Sequence, residues 1–170
     1  MTLSITIDPN LHIRWAKPLD ADALNPLLRA LYRHDVPEAP APTDETVAAH
    51  VARLVHAYTP HRLAVAWDNG GTAVGLAAVG TFVSVSDPRP ERWTHQELKE
   101  IFVLPERRGI GIGTALMSWI ERQARRQGVC RLDWHVKRDN LRSIAFYERL
   151  GARIVDGRMS VRKELLKDRS

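Results

Sequence analysis

The segment Leu98–Leu116, with the sequence LKEIFVLPERRGIGIGTAL, determines how the rest of the chain is interpreted. A strand-like apolar stretch leads into Pro105, then into a basic turn in which glycine alternates with isoleucine over Gly109–Gly113, and then into a helical pattern. Because glycine permits positive φ angles and close approach of the backbone, such a turn can direct several N–H groups at one anion. The helix N-terminus, Arg107 and Arg108 add positive charge. The segment therefore predicts a phosphate-binding turn.

Two other phosphate-binding turns do not fit this segment. A P-loop requires Gly-Lys-Ser/Thr, and the dinucleotide fingerprint requires a third small residue where Thr114 or Leu116 stands. The turn is therefore neither of these two.

In the part of the chain that precedes this segment, the spacing of apolar residues predicts strands and amphipathic helices. Asp20 or Asp22 is placed to cap the first helix, and three prolines in Val36–Thr43 predict a loop between the two helices. Asp68–Gly71 favours a hairpin turn. The predicted elements are a strand Ile13–Trp15, a helix with Leu24, Leu27, Leu28 and Leu31, a helix with Val47, Val51, Leu54, Val55 and Tyr58, and strands Leu63–Trp67, Thr72–Phe82 and Glu97–Leu104.

Outward toward the C-terminus, the chain predicts a helix Thr114–Gln127, a half-buried strand Cys130–Val136 and a helix Ser143–Leu150. Ala152–Val155 and Met159–Leu165 predict a closing hairpin. With 44% hydrophobic residues in 170, and no repeat or linker, the sequence predicts a single domain over residues 1–170.

Composition narrows the classes of partner. The net charge is +5, but the arginines are spread without aromatic-interleaved patches, so no nucleic acid is expected and a polyphosphate ligand accounts better for the charge. No apolar run approaches the roughly 20 residues that cross a bilayer, and Met1–Asn10 does not resemble a leader, so we expect no membrane contact and a cytoplasmic location.

Cys130 is expected to pack in the core. The seven histidines lack metal-ligand spacing, so no metal site is expected, and His95 and His135 are expected at the surface.

Two motifs carry a family resemblance. Arg108-x-x-Gly111-x-Gly113, preceded by the apolar strand Ile101–Leu104, closely resembles the acetyl-CoA motif of the GNAT superfamily of N-acetyltransferases. Asn140-x-x-Ser143-x-x-Phe146-Tyr147-Glu148-x-x-Gly151-Ala152 is similar to a second motif of that family, and some likeness to the diamine acetyltransferase branch accompanies it. The resemblance covers roughly Ile13 to Leu165.

The resemblance implies an α/β (α+β) fold with acetyl-CoA as cosubstrate. The sheet would be mixed and mostly antiparallel, with helices on both faces, and the strand Glu97–Leu104 would diverge from Cys130–Val136 to form a V-shaped cleft for the cofactor. By resemblance, the residues that hold acetyl-CoA are Ile101 and Val103 at the pantetheine, Arg108, Gly109, Ile110, Gly111, Gly113 and Thr114 at the pyrophosphate, and Asn140, Ser143 and Phe146 on the far wall.

The implied reaction is acetyl transfer to a primary amine, which needs a base and an acid. An alkyl amine with a pKa near 10.4 is neutral in only about 1 of 2,500 molecules at pH 7, so a carboxylate or a water chain must remove a proton. The departing thiolate must then be protonated, and a tyrosine O–H is a workable donor. By resemblance, Tyr147 stands at the position of the acid.

Glu97 and Glu100 are the candidate bases. They are three residues apart on one strand, so regular alternation predicts that they point to opposite faces and that at most one faces the cleft. Glu97 aligns with the glutamate that serves as base in histone-type members, whereas Glu100 neighbours the position that diamine enzymes use, where Lys99 replaces their glutamate. Loss of rate at low pH is expected to depend more on Glu97. Either carboxylate could instead be a strand-edge charge or an ion-pair partner.

The acceptor is expected to be a small cationic molecule. His34–Ala52, where the family contacts its acceptor, contains Asp35, Glu38, Asp44 and Glu45 without Lys or Arg, although these carboxylates also suit helix N-termini and solvated surface. The alternatives are acetylation of a protein lysine or N-terminus, and a non-catalytic acetyl-CoA sensor. Family habit and the apolar segment Met159–Leu165 predict a homodimer.

Overall fold

The computed structural model describes residues 11–155 together with residues 161 and 163. Most of the predicted closing strand Met159–Leu165 lies outside the described residues, and Ala152–Val155, which is described, forms no regular strand. The chain divides into two compact units, Met1–His135 and Val136–Ser170. The expectation of one domain stays a prediction.

The first unit contains a five-stranded sheet whose spatial order follows the sequence. The first four strands pair antiparallel, and the fifth lies parallel to the fourth. This confirms the mixed, mostly antiparallel sheet. The strands are β1 (His12–Trp15), β2 (His61–Trp67), β3 (Ala73–Val83), β4 (Thr94–Val103) and β5 (Leu132–Trp134).

Among the described residues, the first unit also contains three longer helices and three short 3₁₀ turns, and the second unit contains one helix. The fifth strand has only three residues, where seven were predicted. The second helix ends at Leu54, so Tyr58, which was predicted to lie on its apolar face, falls beyond the helix and is 91% exposed. The helices are α1 (Ala21–Asp35), α2 (Asp44–Leu54), α3 (Ile112–Arg126) and, in the second unit, α4 (Leu141–Arg149); the 3₁₀ turns are Pro18–Asp20, Pro90–Arg92 and Pro105–Arg107.

The helices of the first unit cover both faces of its sheet. Leu76 of β3 belongs to a buried apolar cluster with residues of α1 and α2, such as Leu24 and Val51. The preceding residue, Gly75, faces the other way, and a Cβ there would lie 3.3 Å from Ile112 Cγ2 of α3. The first turn of α3 is therefore packed closely against the sheet.

The junction of β1 and α1 is fixed by a buried carboxylate. Asp20 stands at the N-cap position of α1, but its side chain does not cap the helix as predicted. Its two oxygens instead accept hydrogen bonds from Arg14 Nη1 and Nη2 at 2.6 and 2.8 Å, and one of them also accepts from the Lys17 N–H at 2.7 Å. The hydrogen bond from Arg14 is the main reason why the pKa of Asp20 is lowered.

Candidate active site

The central feature of β4 is a β-bulge. Ala78 of β3 lies opposite Glu100, and the next residue, Val79, lies opposite Leu98. Lys99 is therefore an extra residue on β4. A bulge of this kind locally reverses the alternation of side chains along its strand.

The bulge places the two candidate bases on one face of the sheet. Glu97 lies opposite Gly80 and Glu100 lies opposite Ala78. Gly80 and Ala78 are two residues apart on β3 and share a face, as do residues directly opposite each other on antiparallel strands. The prediction that the glutamates point to opposite faces is wrong, because it assumed a regular strand.

This shared face is the one that α1 and α2 cover. Ala78 belongs to their buried cluster, and the ring centroid of His34 in α1 lies 5.6 Å from that of Phe102 in β4. Asp35, the last residue of α1, acts electrostatically on Glu100. One member of the acidic segment predicted to contact the acceptor is thus near a candidate base.

Glu97 forms an ion pair with Lys99 and lies close to the His135 ring. Its Oε1 lies 2.8 Å from Lys99 Nζ and 3.5 Å from His135 Nδ1, and its side chain is 23% exposed. This arrangement agrees with the interpretation of Glu97 as an ion-pair partner.

Glu100 is partly buried and makes no ion pair among the described residues. Burial raises the pKa of its carboxyl, and the negative charge of Asp35 raises it further. A hydrogen bond from the Ile101 N–H to Glu100 Oε1, 3.0 Å long, opposes part of this increase in pKa. Glu100 is therefore the carboxylate whose environment favours accepting a proton.

One edge of β4 is open beyond the bulge. The pairing with β5 ends where Leu98 meets Trp134, so within the described chain the segment 99–103 has no strand partner on that side. The Leu104 N–H donates to Val74 O on the β3 side, and alternation directs the backbone groups of Val103 and Ile101 to the open side. This geometry suits the cleft that the sequence predicts.

The two backbone positions expected to hold pantetheine are contacted by the chain's own side chains. The Ile101 N–H donates to Glu100, and Val103 O accepts a 2.9 Å hydrogen bond from Arg108 Nε. Arg108 also lies over the Phe102 ring, with its Cζ 5.5 Å from the centroid. Arg108 therefore attaches the glycine-rich turn to β4.

The glycine-rich turn leaves a run of backbone donors unused. Gly109 and Gly111 have φ angles of 83° and 86°, which side-chain-bearing residues rarely adopt. The Arg108 N–H donates to Pro105 O, and the next N–H with a backbone acceptor belongs to Ala115. In the part of the chain that the structure describes, the N–H groups of residues 109–114 have no backbone acceptor, so they can meet an anion at the start of α3. The Arg108 amide, predicted to join them, is already bonded.

A second attachment of the turn was not anticipated from the sequence. Arg107 Nη1 lies 3.6 Å from Asp68 Oδ2. The other oxygen of Asp68 accepts hydrogen bonds from the N–H groups of Gly70 and Thr72 in the hairpin turn between β2 and β3. Asp68 therefore links that hairpin to the phosphate-binding turn.

The remaining site residues belong to the second unit. Asn140 Oδ1 accepts a hydrogen bond from the Ser143 N–H at 3.1 Å and so caps α4. The rings of Phe146 and Tyr147 have centroids 5.1 Å apart, and Tyr147 is partly buried. The structure thus adds a helix-capping role for Asn140 to the cofactor contact implied by the resemblance.

Other expectations concern metals, membranes and histidines. Within residues 11–155 and at positions 161 and 163, no group of His, Cys, Asp and Glu is arranged to hold a metal ion, and no helix is long and apolar enough to span a membrane. His135 is exposed, whereas His95 is partly buried against Phe82, with ring centroids 5.7 Å apart. Cys130 is only partly buried, so its predicted core position is wrong: β5 begins at Leu132, and Cys130 precedes the strand that was predicted to contain it.

Comparisons with known proteins agree with this geometry. Many solved structures share the fold, and three serve as examples. An integron cassette protein from the mobile metagenome of V. cholerae has a TM-score of 0.81 and 21% identity over 92% of this chain and 94% of that one. A ribosomal-protein-alanine N-acetyltransferase from Brucella melitensis biovar Abortus 2308 has a TM-score of 0.73 and 18% identity over 91% of this chain and 99% of that one. The aminoglycoside N-acetyltransferase AAC(6')-Iy in complex with CoA has a TM-score of 0.69 and 20% identity over 90% of this chain and 94% of that one. No curated protein sequence matches the chain significantly. Residues 24–152 match the family model described as the acetyltransferase (GNAT) family. The chain therefore belongs to the GNAT family of acetyltransferases, whose acetyl donor is acetyl-CoA.

Proposed function

We propose that the protein acetylates a primary amine of a small cationic molecule, with Glu100 as general base and Tyr147 as general acid. The observation that carries the proposal is the environment of Glu100. Its carboxyl is partly buried on the face covered by α1 and α2, and burial together with Asp35 raises its pKa. A base with a raised pKa retains more driving force for taking a proton from an ammonium group.

Glu97 is the weaker candidate for the base. Both glutamates lie on the same face, so orientation no longer separates them. Lys99 and His135 both contact Glu97 Oε1, and abstraction of a proton would have to compete with these contacts. The structure therefore favours Glu100 over the preference drawn from the sequence.

The residues that would hold acetyl-CoA fit its chemistry. The six N–H groups of residues 109–114 and the positive end of α3 suit a pyrophosphate, and the open edge of β4 at Ile101 and Val103 suits an amide-bearing arm. Acetyl-CoA supplies an acetyl thioester, which is activated toward amines. Asn140, Ser143 and Phe146 are proposed as further contacts.

Tyr147 is proposed to donate its phenolic proton as the thiolate departs. Support comes from the motif that includes Asn140 and Tyr147 and from the family match, which extends to residue 152. Partial burial of the ring beside Phe146 would keep the hydroxyl in one position.

The cationic acceptor is supported by local charge and by two structural neighbours. Asp35 lies near Glu100, and Glu38 and Glu45 are exposed, whereas Asp44 is paired with Arg29. Two of the structural neighbours are aminoglycoside acetyltransferases. A protein acceptor is the second candidate, because another structural neighbour is a ribosomal-protein-alanine N-acetyltransferase.

Thiol release from acetyl-CoA in the presence of polyamines, aminoglycosides, amino acids and lysine peptides tests the proposal. We expect turnover with small polycationic amines. Turnover with peptides alone would contradict the acceptor class, and tight binding of acetyl-CoA without turnover on any amine would make the protein a sensor.

Replacement of Tyr147 by Phe tests the acid. The ring still packs, so we expect little change in melting temperature or acetyl-CoA affinity and at least a tens-fold fall in kcat, since general acid help is typically worth about 10²–10⁴-fold. A rate close to that of the wild type would exclude the Tyr147 hydroxyl as the proton donor.

A homodimer and a cytoplasmic location also remain part of the proposal. The dimer rests on family habit, and light scattering at micromolar concentration would contradict it by showing a monomer.

A further inference from the structure

A backbone N–H on the open edge of β4, that of Ile101, already donates a hydrogen bond to a side chain of the protein. The Ile101 N–H is directed away from β3, beyond the last residue that pairs with β5, and it donates to Glu100 Oε1 at 3.0 Å. A backbone N–H has a single hydrogen, so a second acceptor can bind it well only by displacing the first.

The neighbouring contact at Val103 has a different consequence. Val103 O accepts from Arg108 Nε, but a carbonyl oxygen has two lone pairs and can accept a second hydrogen bond. Arg108 can therefore stay in place when a ligand lies along this edge. Of the two side chains on the edge, only Glu100 has to leave.

We propose that Glu100 and acetyl-CoA compete for the Ile101 N–H, so that binding of acetyl-CoA frees the Glu100 carboxylate for the acceptor amine. This inference rests on the proposed function, because it needs acetyl-CoA on the open edge and Glu100 as the base.

The charges around Glu100 support its release. The Ile101 N–H is the contact that lowers the pKa of Glu100, whereas burial and Asp35 at the end of α1 raise it. On its own strand and face, Glu97 is held by Lys99 and His135. Once the hydrogen bond from Ile101 is lost, only the influences that raise the pKa of Glu100 remain, and the carboxylate becomes a stronger base.

Calorimetric titration of acetyl-CoA into the wild type and three variants tests the competition. Replacement of Glu100 by Ala removes the competing acceptor, and we expect acetyl-CoA to bind about three- to tenfold more tightly, which corresponds to the loss of one competing hydrogen bond worth roughly 0.7–1.4 kcal/mol. Glu100→Gln keeps a neutral, weaker acceptor and should give an intermediate affinity.

Glu97→Ala is the matched control. It removes a negative charge from the same strand and face, but Glu97 makes no hydrogen bond to the backbone among the described residues, so the affinity should stay within about twofold of the wild type. A gain in Glu97→Ala equal to that in Glu100→Ala would show a general effect of charge and would overturn the competition.

An unchanged or weaker affinity in a folded Glu100→Ala variant would also overturn the inference. If the wild type itself fails to bind acetyl-CoA, the proposed function falls as well, so the two failures are distinguishable.

A second readout needs no variant. In the wild type the amide resonance of Ile101 should follow the titration of the Glu100 carboxyl, and saturating acetyl-CoA should abolish that dependence. Persistence of the dependence in the saturated protein would contradict the release of Glu100.

Discussion

Asp20 and Glu100 are two carboxylates of the first unit that experience opposite surroundings. Asp20 is only 5% exposed but accepts three hydrogen bonds, two of them from Arg14, and its pKa is lowered. Glu100 accepts one backbone hydrogen bond, faces the negative charge of Asp35, and has a raised pKa. Burial alone therefore does not determine the behaviour of a carboxylate.

The difference separates a structural charge from a reactive one. Asp20 joins β1 to α1, and its donors compensate for its loss of water. Glu100 lacks such compensation and lies on the sheet face where an acceptor is proposed to bind. A buried carboxylate without sufficient donors is costly to the fold, and such groups concentrate where chemistry needs them.

Removal of each carboxylate should give the largest contrast between the two sites. In Glu100→Gln, kcat should fall about 10²–10⁴-fold because the base is lost. In Asp20→Asn, the kcat of the folded protein should stay within about twofold, since Asp20 lies outside the site. Steady-state rates with acetyl-CoA and an amine identified in the panel measure both. Equal losses of kcat in the two variants would contradict the distinction between Glu100 as a base and Asp20 as a structural charge.

A substitution in the phosphate-binding turn should impair acetyl-CoA binding without changing either carboxylate. Valine at Gly111 would place a side chain at a φ of 86° where the pyrophosphate is proposed to bind, so acetyl-CoA should no longer raise the melting temperature.

Gly128→Val is the control for this change. Gly128 has a φ of 68° just beyond the other end of α3, with open space where a Cβ would lie. It should lose comparable stability through backbone strain but keep the response to acetyl-CoA. A normal response in folded Gly111→Val would refute the proposed role of the turn.

The smallest effect concerns stability at the Asp20 site. Asp20→Asn should lower the free energy of unfolding at pH 7 by about 1–2 kcal/mol, a modest figure because Arg14 stays 37% exposed. The pKa of Asp20 is lowered in the fold, so its contribution is present above the ordinary aspartate value and is lost as the pH falls through the lowered value. Urea unfolding of both proteins at several pH values measures this, and a constant difference down to strongly acidic pH would contradict it.

Most of the fold was predictable because its elements carry strong local signals. The leucines of α1 recur at helical spacing, and Asp68–Gly71 marks its hairpin. The predicted fifth strand was too long. Alternating apolar and polar residues in Cys130–Val136 indicate which residues are able to form a strand, whereas the length that forms depends on how far β4 and β5 stay close enough to pair. The local sequence gives no information about where the two strands separate.

The phosphate-binding turn was predictable for the same reason, since glycines such as Gly109 and Gly111 are typical of positions with positive φ angles, and both have them here. The relative orientation of Glu97 and Glu100 was not. Leu98 and Phe102 are both buried although they pack on opposite faces, and a bulge at a lysine leaves no glycine or proline to mark it. Asp68 was visible as a turn residue, but its contact with Arg107 joins distant segments.

The pKa values of Glu100 and Asp20 show directly whether Glu100, unlike Asp20, is a carboxylate poised to accept a proton. Carbon-13 NMR titration of the side-chain carboxyl groups, assigned with Glu100→Gln and Asp20→Asn, gives both pKa values in the folded protein. We expect Glu100 to titrate above the ordinary glutamate value and Asp20 below the ordinary aspartate value. A Glu100 pKa at or below the ordinary value would contradict this expectation.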